Sequence, residues 1–268
     1  MKKLNLKEVK VIQLNILEEV ASFCENNNIR YSLYFGTLLG AVRHQGYIPW
    51  DDDIDIMMPR PDYNKFISTF NLSNNEFRVR SSLGDESYPF TFAKVEKVKS
   101  KLVEFTDISY NIGVNIDVFS IDGVPEEQNK FDKFFKNLKL QYNILLIKTV
   151  KIDFKNRSTF KNLTILVLKV LLKAISYKKN IKSIDKKITK HEFVKSKYVM
   201  ACCYPGIKKH QKLKREIYEE FVDIDFESKK YKVIKRFDEY LMMQYGNYMK
   251  LPPANERVGI HSYKAYVK

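Results

Sequence analysis

Apolar positions along the first 125 residues follow two rhythms, one helical and one of strand type. Leu14, Leu17, Ala21 and Cys24 fall at helical spacing and predict an opening helix over residues 6–25. Asn5 is placed to cap it with Glu8 three residues on, and Asn26-Asn27-Asn28 to end it. Residues 31–35 predict a strand, 37–44 a short helix, 53–58 a second strand, and Pro61-Asp62 the start of a helix to about Phe70. Segments 76–82, 89–97, 100–106 and 114–121 predict further strands, the last closed by the turn Asp122-Gly123. Strands interleaved with helices predict an α/β or α+β layer structure.

After Pro125 the texture changes to long helical patterns without strand signals. It divides the chain into a core over 1–125, a basic helical insertion over 126–200 and a helical C-terminal part over 201–268. Helices are predicted at 207–221 and 228–245, the second capped by Ser228. Leu163–Ile175 is apolar apart from Lys169 and Lys173 and is too short to span a bilayer. It reads either as a buried helix or as one lying in a membrane interface.

Charge follows the same division. Residues 1–125 hold 14 Lys and Arg against 17 Asp and Glu, whereas residues 130–200 hold 19 against 4. The net charge of +15 therefore belongs to the middle of the chain. That excess suits an anionic membrane surface, contacted peripherally, better than nucleic acid, because the middle has one arginine and no aromatic RNA-binding motif. The N-terminus lacks a secretory pattern, since Asn5, Lys7, Glu8 and Lys10 interrupt any apolar stretch. Cys24, Cys202 and Cys203 lack chelating spacing and read as buried thiols of a reduced, cytoplasmic protein.

The chemistry concentrates at Asp51, Asp52, Asp53 and Asp55, set beside Ile54, Ile56, Met57 and Met58. Carboxylates resist burial and repel one another, so this crowd calls for a counter-cation. In an extended strand Asp51, Asp53 and Asp55 share one face and Asp52 the other, with Asp53 and Asp55 about 7 Å apart. Such a pair suits a hard divalent ion, Mg²⁺ or Mn²⁺, holding a phosphorylated substrate. Asp117 is a lone acid between branched apolar residues in the run Val114–Ile121, a costly placement without a partner.

Gly36-Thr37, the Asp53/Asp55 pair and the isolated Asp117 resemble the layout of the nucleotidyltransferase superfamily. Residues Gly36–His44 and Gly46–Ile56 closely resemble the signature of the LicD family. Tyr245–Pro253, followed by Glu256-Arg257 and His261, resembles its C-terminal motif, and Phe92–Val95 its lysine-bearing strand. The resemblance implies a nucleotidyltransferase-like α+β fold, a mixed sheet flanked by helices, and transfer of a phospho-alcohol, typically phosphocholine from CDP-choline, onto a glycan or lipid-linked glycan. Fukutin-type relatives use CDP-ribitol. It implies a metal on Asp53 and Asp55, with Asp117 either completing the metal site or taking the acceptor's proton, and Asp51 and Asp52 orienting the ligands. Gly36 and Thr37, at a helix start, suit phosphate binding. Arg43, His44 and Lys94 are candidate phosphate contacts, though Arg43 could instead pair with Asp51. Trp50 and Tyr47 are candidates for a quaternary ammonium. Arg257 and His261 are expected to close over the substrate. Two alternatives keep other chemistry open: nucleotide transfer to a small molecule or RNA, and a basic binding module with a degenerate site.

Overall fold

The computed structural model describes all residues except Glu86, 105–109, 155–156 and 260–262, together with the side chains of Ser73 and Glu104. His261 and the end of the expected strand 100–106 thus lie outside the described residues. The helices are α1 (Leu6–Asn26), α2 (Phe35–His44), α3 (Arg60–Ser73), α4 (Gln128–Thr149), α5 (Thr159–Leu171), α6 (Tyr177–Ile188) and α7 (Phe237–Tyr245). The strands are β1 (Lys2–Lys3), β2 (Ser32–Leu33), β3 (Asp55–Pro59), β4 (Phe77–Arg80), β5 (Ala93–Lys97) and β6 (Ser100–Glu104). The chain continues through β7 (Asn115–Val124), β8 (Tyr198–Met200), β9 (Leu213–Lys214), β10 (Phe221–Phe226), β11 (Lys229–Ile234) and β12 (Tyr263–Val267). The expected mixed α+β class is what the chain adopts.

The main sheet runs β2-β3-β7-β5-β4, with β8 and β9 added at the far end of β7. Only β3 and β7 are parallel; the other pairs are antiparallel. In β3, Ile56, Met57 and Met58 are fully buried, each side chain contributing roughly 1.5–3 kcal/mol. Helix α1 lays Ile16, Leu17, Val20 and Cys24 onto this core, and its capping box joins Asn5 and Glu8 as the sequence predicts. At the other end of β7, Arg60 grips Asp122 with two guanidinium N–H groups, at 2.5 and 2.9 Å, and locks the start of α3 to the sheet. The three thiols are buried, and burial pushes the Cys203 thiol up to about 12, so it stays protonated and inert.

The C-terminal part returns to the N-terminal one. Strand β12 lies between β1 and β6, and the Ile234 N–H of β11 donates to Ser32 Oγ at 3.0 Å. Two expected helices are corrected here. Residues 207–221 form short 3-10 turns around β9, and 228–245 divides into β11 and α7. Ser228 caps no helix: Glu227 and Ser228 both have positive φ (49° and 72°), the two-residue turn that fits the twist of a hairpin. Alternation of Val222, Ile224 and Phe226 against Tyr231 and Val233 then pairs β10 with β11.

Helix α5 also departs from one expectation. Burial in the core is overturned, because Asn162 is its one buried residue and its apolar face is exposed.

Candidate active site

Three neighbouring strands place one charged row across the sheet. Asp55 pairs in register with Asp117, and Asp117 with Lys94, so all three project from adjacent strands about 4.8 Å apart. Lys94 Nζ donates to Asp117 Oδ1 at 2.5 Å and to Asn115 Oδ1 at 3.1 Å. Lys94 is only 6% exposed, and its ammonium fixes the position of Asp117. Burial, then the charges of Asp53, Asp117 and Asp51, hold the Asp55 carboxyl well above its ordinary value; Lys94 opposes them.

The acids upstream sit in a loop. The strand begins only at Asp55, so the expected alternation of 51–54 does not apply, and Asp52 is not turned to an opposite face. Carboxylate oxygens of Asp51, Asp52 and Asp53 lie within 4.8 Å of one another. Gln13 of α1 holds this loop, donating to the Asp52 carbonyl at 3.0 Å and the Asn115 carbonyl at 3.4 Å. Lys10, one helical turn earlier, feels Asp51, Asp52 and Asp53, although burial outweighs them and lowers its pKa. The donors are all carboxylate oxygens, and a cation there would relieve the repulsion felt by Asp55, so the residues fit a hard divalent ion.

Helix α2 meets the acids with its N-terminus. Phe35 starts it at φ 39°, a left-handed conformation costing a bulky residue about 1–3 kcal/mol and a frequent mark of functional sites. Its N-cap, Tyr34, makes no side-chain cap bond, which leaves the helix start suited to a phosphate. Gly36 lets the Asp51 carboxylate sit close against the helix start: a Cβ there would lie 2.6 Å from Asp51 Oδ2 and push that carboxylate aside. Thr37 Oγ1 accepts the Asp55 N–H at 2.9 Å and so ties the helix to β3.

The far end of α2 builds a cationic corner. Arg43 donates to the Tyr248 carbonyl at 2.7 Å rather than pairing with Asp51. His44 packs edge-on to Trp50, and the Arg257 guanidinium lies 5.9 Å from the Trp50 ring centre. Burial and the Arg43 charge lower the His44 pKa, keeping its imidazole neutral at pH 7. Tyr47 is engaged elsewhere: its hydroxyl donates to Gln13, Phe226 packs beside it, and Lys10 sits 4.2 Å over its ring. Tyr245 comes close enough to the cluster to feel Asp55, Asp51 and Asp53, and burial with these charges raises its phenol.

The sequence that builds this site matches a known family over residues 28–160, described as LicD/FKTN/FKRP, nucleotidyltransferase domain. The lipopolysaccharide cholinephosphotransferase LicD of Haemophilus influenzae is 30% identical over 276 residues, spanning the whole of both chains. The chain belongs to the LicD family. Uncharacterised proteins of Rickettsia typhi and Rickettsia prowazekii are 44% identical over 62 residues, 23% of this chain and 20% and 23% of theirs. In this LicD-type phosphotransferase the candidate site draws on α1, α2, the acid loop, β3, β5, β7 and the segment after α7. Gln13 was visible in the sequence only as a polar residue on the apolar stripe Val9, Ile16, Leu17, Val20 of α1. Lys10 and Tyr245 carry no local signal, because only the fold brings them to the acids.

Proposed function

We propose that the protein transfers phosphocholine from CDP-choline to a hydroxyl of a cell-surface glycan in a divalent-metal-dependent reaction. The observation that carries this reading is the row Asp55–Asp117–Lys94 beside Asp51–Asp53, in a chain similar along its whole length to a lipopolysaccharide cholinephosphotransferase. Asp53 and Asp55 would hold the metal, with Asp51 and Asp52 supporting, and it would supply charge neutralisation for the donor's diphosphate. Asp117, aimed by Lys94, which Asn115 holds in turn, takes the acceptor hydroxyl proton as the hydroxyl oxygen bonds to the choline-bearing phosphorus. The bond to the bridging oxygen breaks and CMP leaves. Arg43, His44 and Arg257, with the start of α2 at Gly36 and Thr37, supply the phosphate-binding surroundings.

Trp50, whose ring the Arg257 guanidinium already approaches to 5.9 Å, is the candidate aromatic contact for the trimethylammonium group. Trp50→Ala is expected to raise KM for CDP-choline about 2–30-fold with little change in kcat, the value of one cation–π contact. Steady-state kinetics check it, and an unchanged KM excludes the contact.

An acceptor of the lipopolysaccharide class is carried on lipid, so the reaction takes place at a membrane surface. No helix among the described residues is long and apolar enough to cross one. The reaction is tested with CDP-choline labelled separately on choline and on cytidine. Phosphocholine transfer moves only the choline label to the glycan; movement of the cytidine label instead establishes nucleotidyl transfer.

A further inference from the structure

Helix α5 is a rigid apolar ridge pointing outward. Phe160 is 80% exposed, Val170 72%, Leu171 70% and Val167 59%. At 100° per residue these side chains, with Leu163 and Leu166, span an arc of about 140° on one side of the helix. The ridge is firmly mounted. Asn162 is buried and donates to the carbonyls of Asp153 and Arg157 at 2.9 and 3.1 Å, and Lys148 donates to the Leu172 carbonyl at 2.8 Å, fixing both ends. A patch of this kind on an exposed helix marks a surface made to be covered.

The charge around it says by what. Residues 154–184 contain eight Lys and Arg and no Asp or Glu, and Lys161, Lys173, Lys178 and Lys179 are exposed. A second copy docking face to face would bring two strongly basic surfaces together, which opposes association. An anionic lipid surface satisfies both halves at once: acyl chains take the apolar arc and headgroups the lysines. We propose that α5 is an interfacial helix that seats the protein on anionic lipid bilayers. Behind it, α4 contributes Leu145 and Leu146 to an apolar pocket shared with Phe90 and Phe92, whose rings lie 5.2 and 5.4 Å from Lys94 Nζ. The docked face is therefore mounted on a layer that reaches the charged row. The inference rests on the surface of α5 alone and holds whichever donor the site uses.

The test is co-flotation of the full chain with vesicles of phosphatidylcholine containing phosphatidylglycerol, against phosphatidylcholine alone, at physiological ionic strength. The wild type is expected to float with the anionic vesicles and not with the neutral ones. Val167→Asp/Leu171→Asp is expected to bind about a hundredfold more weakly, because the apolar insertion is lost. Lys173→Glu/Lys178→Glu, which leaves the ridge intact, is expected to weaken binding as well. Thermal melts matching the wild type show that each variant is folded. Absence of wild-type flotation, or equal flotation of Val167→Asp/Leu171→Asp, overturns the proposal. So does sedimentation showing a dimer that this double substitution dissociates, since a second copy then covers the ridge.

Discussion

Asp55→Asn is expected to lower kcat for phosphocholine transfer by about 10²–10³-fold or more, the scale of losing one charged group at a reacting phosphate. The same change is expected to raise the melting temperature of the metal-free protein. Asp55 is held above its ordinary pKa by burial and by Asp53, Asp117 and Asp51, so its ionised form is a liability until a cation arrives. The sign follows from linkage. A carboxyl whose folded pKa is raised costs no stability below the ordinary range, about 3.9, and costs progressively more as pH rises toward the raised value. The gain from Asn should therefore be largest at neutral pH and vanish below about pH 4. Melting curves in chelator across that range, beside steady-state rates with Mg²⁺, measure both effects. Near-normal turnover by Asp55→Asn contradicts its assignment to the metal.

Lys94→Met is expected to destabilise the fold by about 3 kcal/mol, the lower end of the cost of breaking a buried ion pair from one side. Lys94 is almost wholly enclosed, while the Asp117 side chain is 18% exposed and can still be neutralised by a solvent cation. That exposure places the cost at the low end. Turnover should fall as well, by about 10–100-fold, because Asp117 loses the group that aims it. Urea denaturation in chelator separates the two consequences. A midpoint equal to the wild type shows that the pair contributes nothing to stability.

Local signals carried much of the fold into view from sequence. Asn5 and Glu8 announce their capping box within four residues, and the acids at 51–55 are too dense for an ordinary buried strand. Asp117 is conspicuous because it stands between Ile116 and Val118, and its alignment with Asp55 follows from the parallel pairing of β3 and β7. The hairpin β10–β11 was misread because its lysines and apolar residues also fit a helical period, while its turn depends on Glu227 and Ser228 in left-handed backbone conformations. Asp52 was assigned to the wrong face because the loop is shaped by Gln13, from a helix about forty residues upstream. The outward face of α5 was undecidable from its own residues: an apolar arc reads alike whether a core or a lipid surface covers it.

Lys94 illustrates the same limit. Its strand, Phe92–Val95, marks it by family resemblance as a candidate phosphate contact, and only the antiparallel register shows that it lies directly opposite Asp117 and donates to it.

The most direct test of the central claim is growth with labelled choline, comparing cells that carry the wild-type protein with cells that carry Asp53→Asn at equal abundance. Label is expected in the surface glycan of the wild type and is expected to be lost in Asp53→Asn. Equal label in both would contradict the claim.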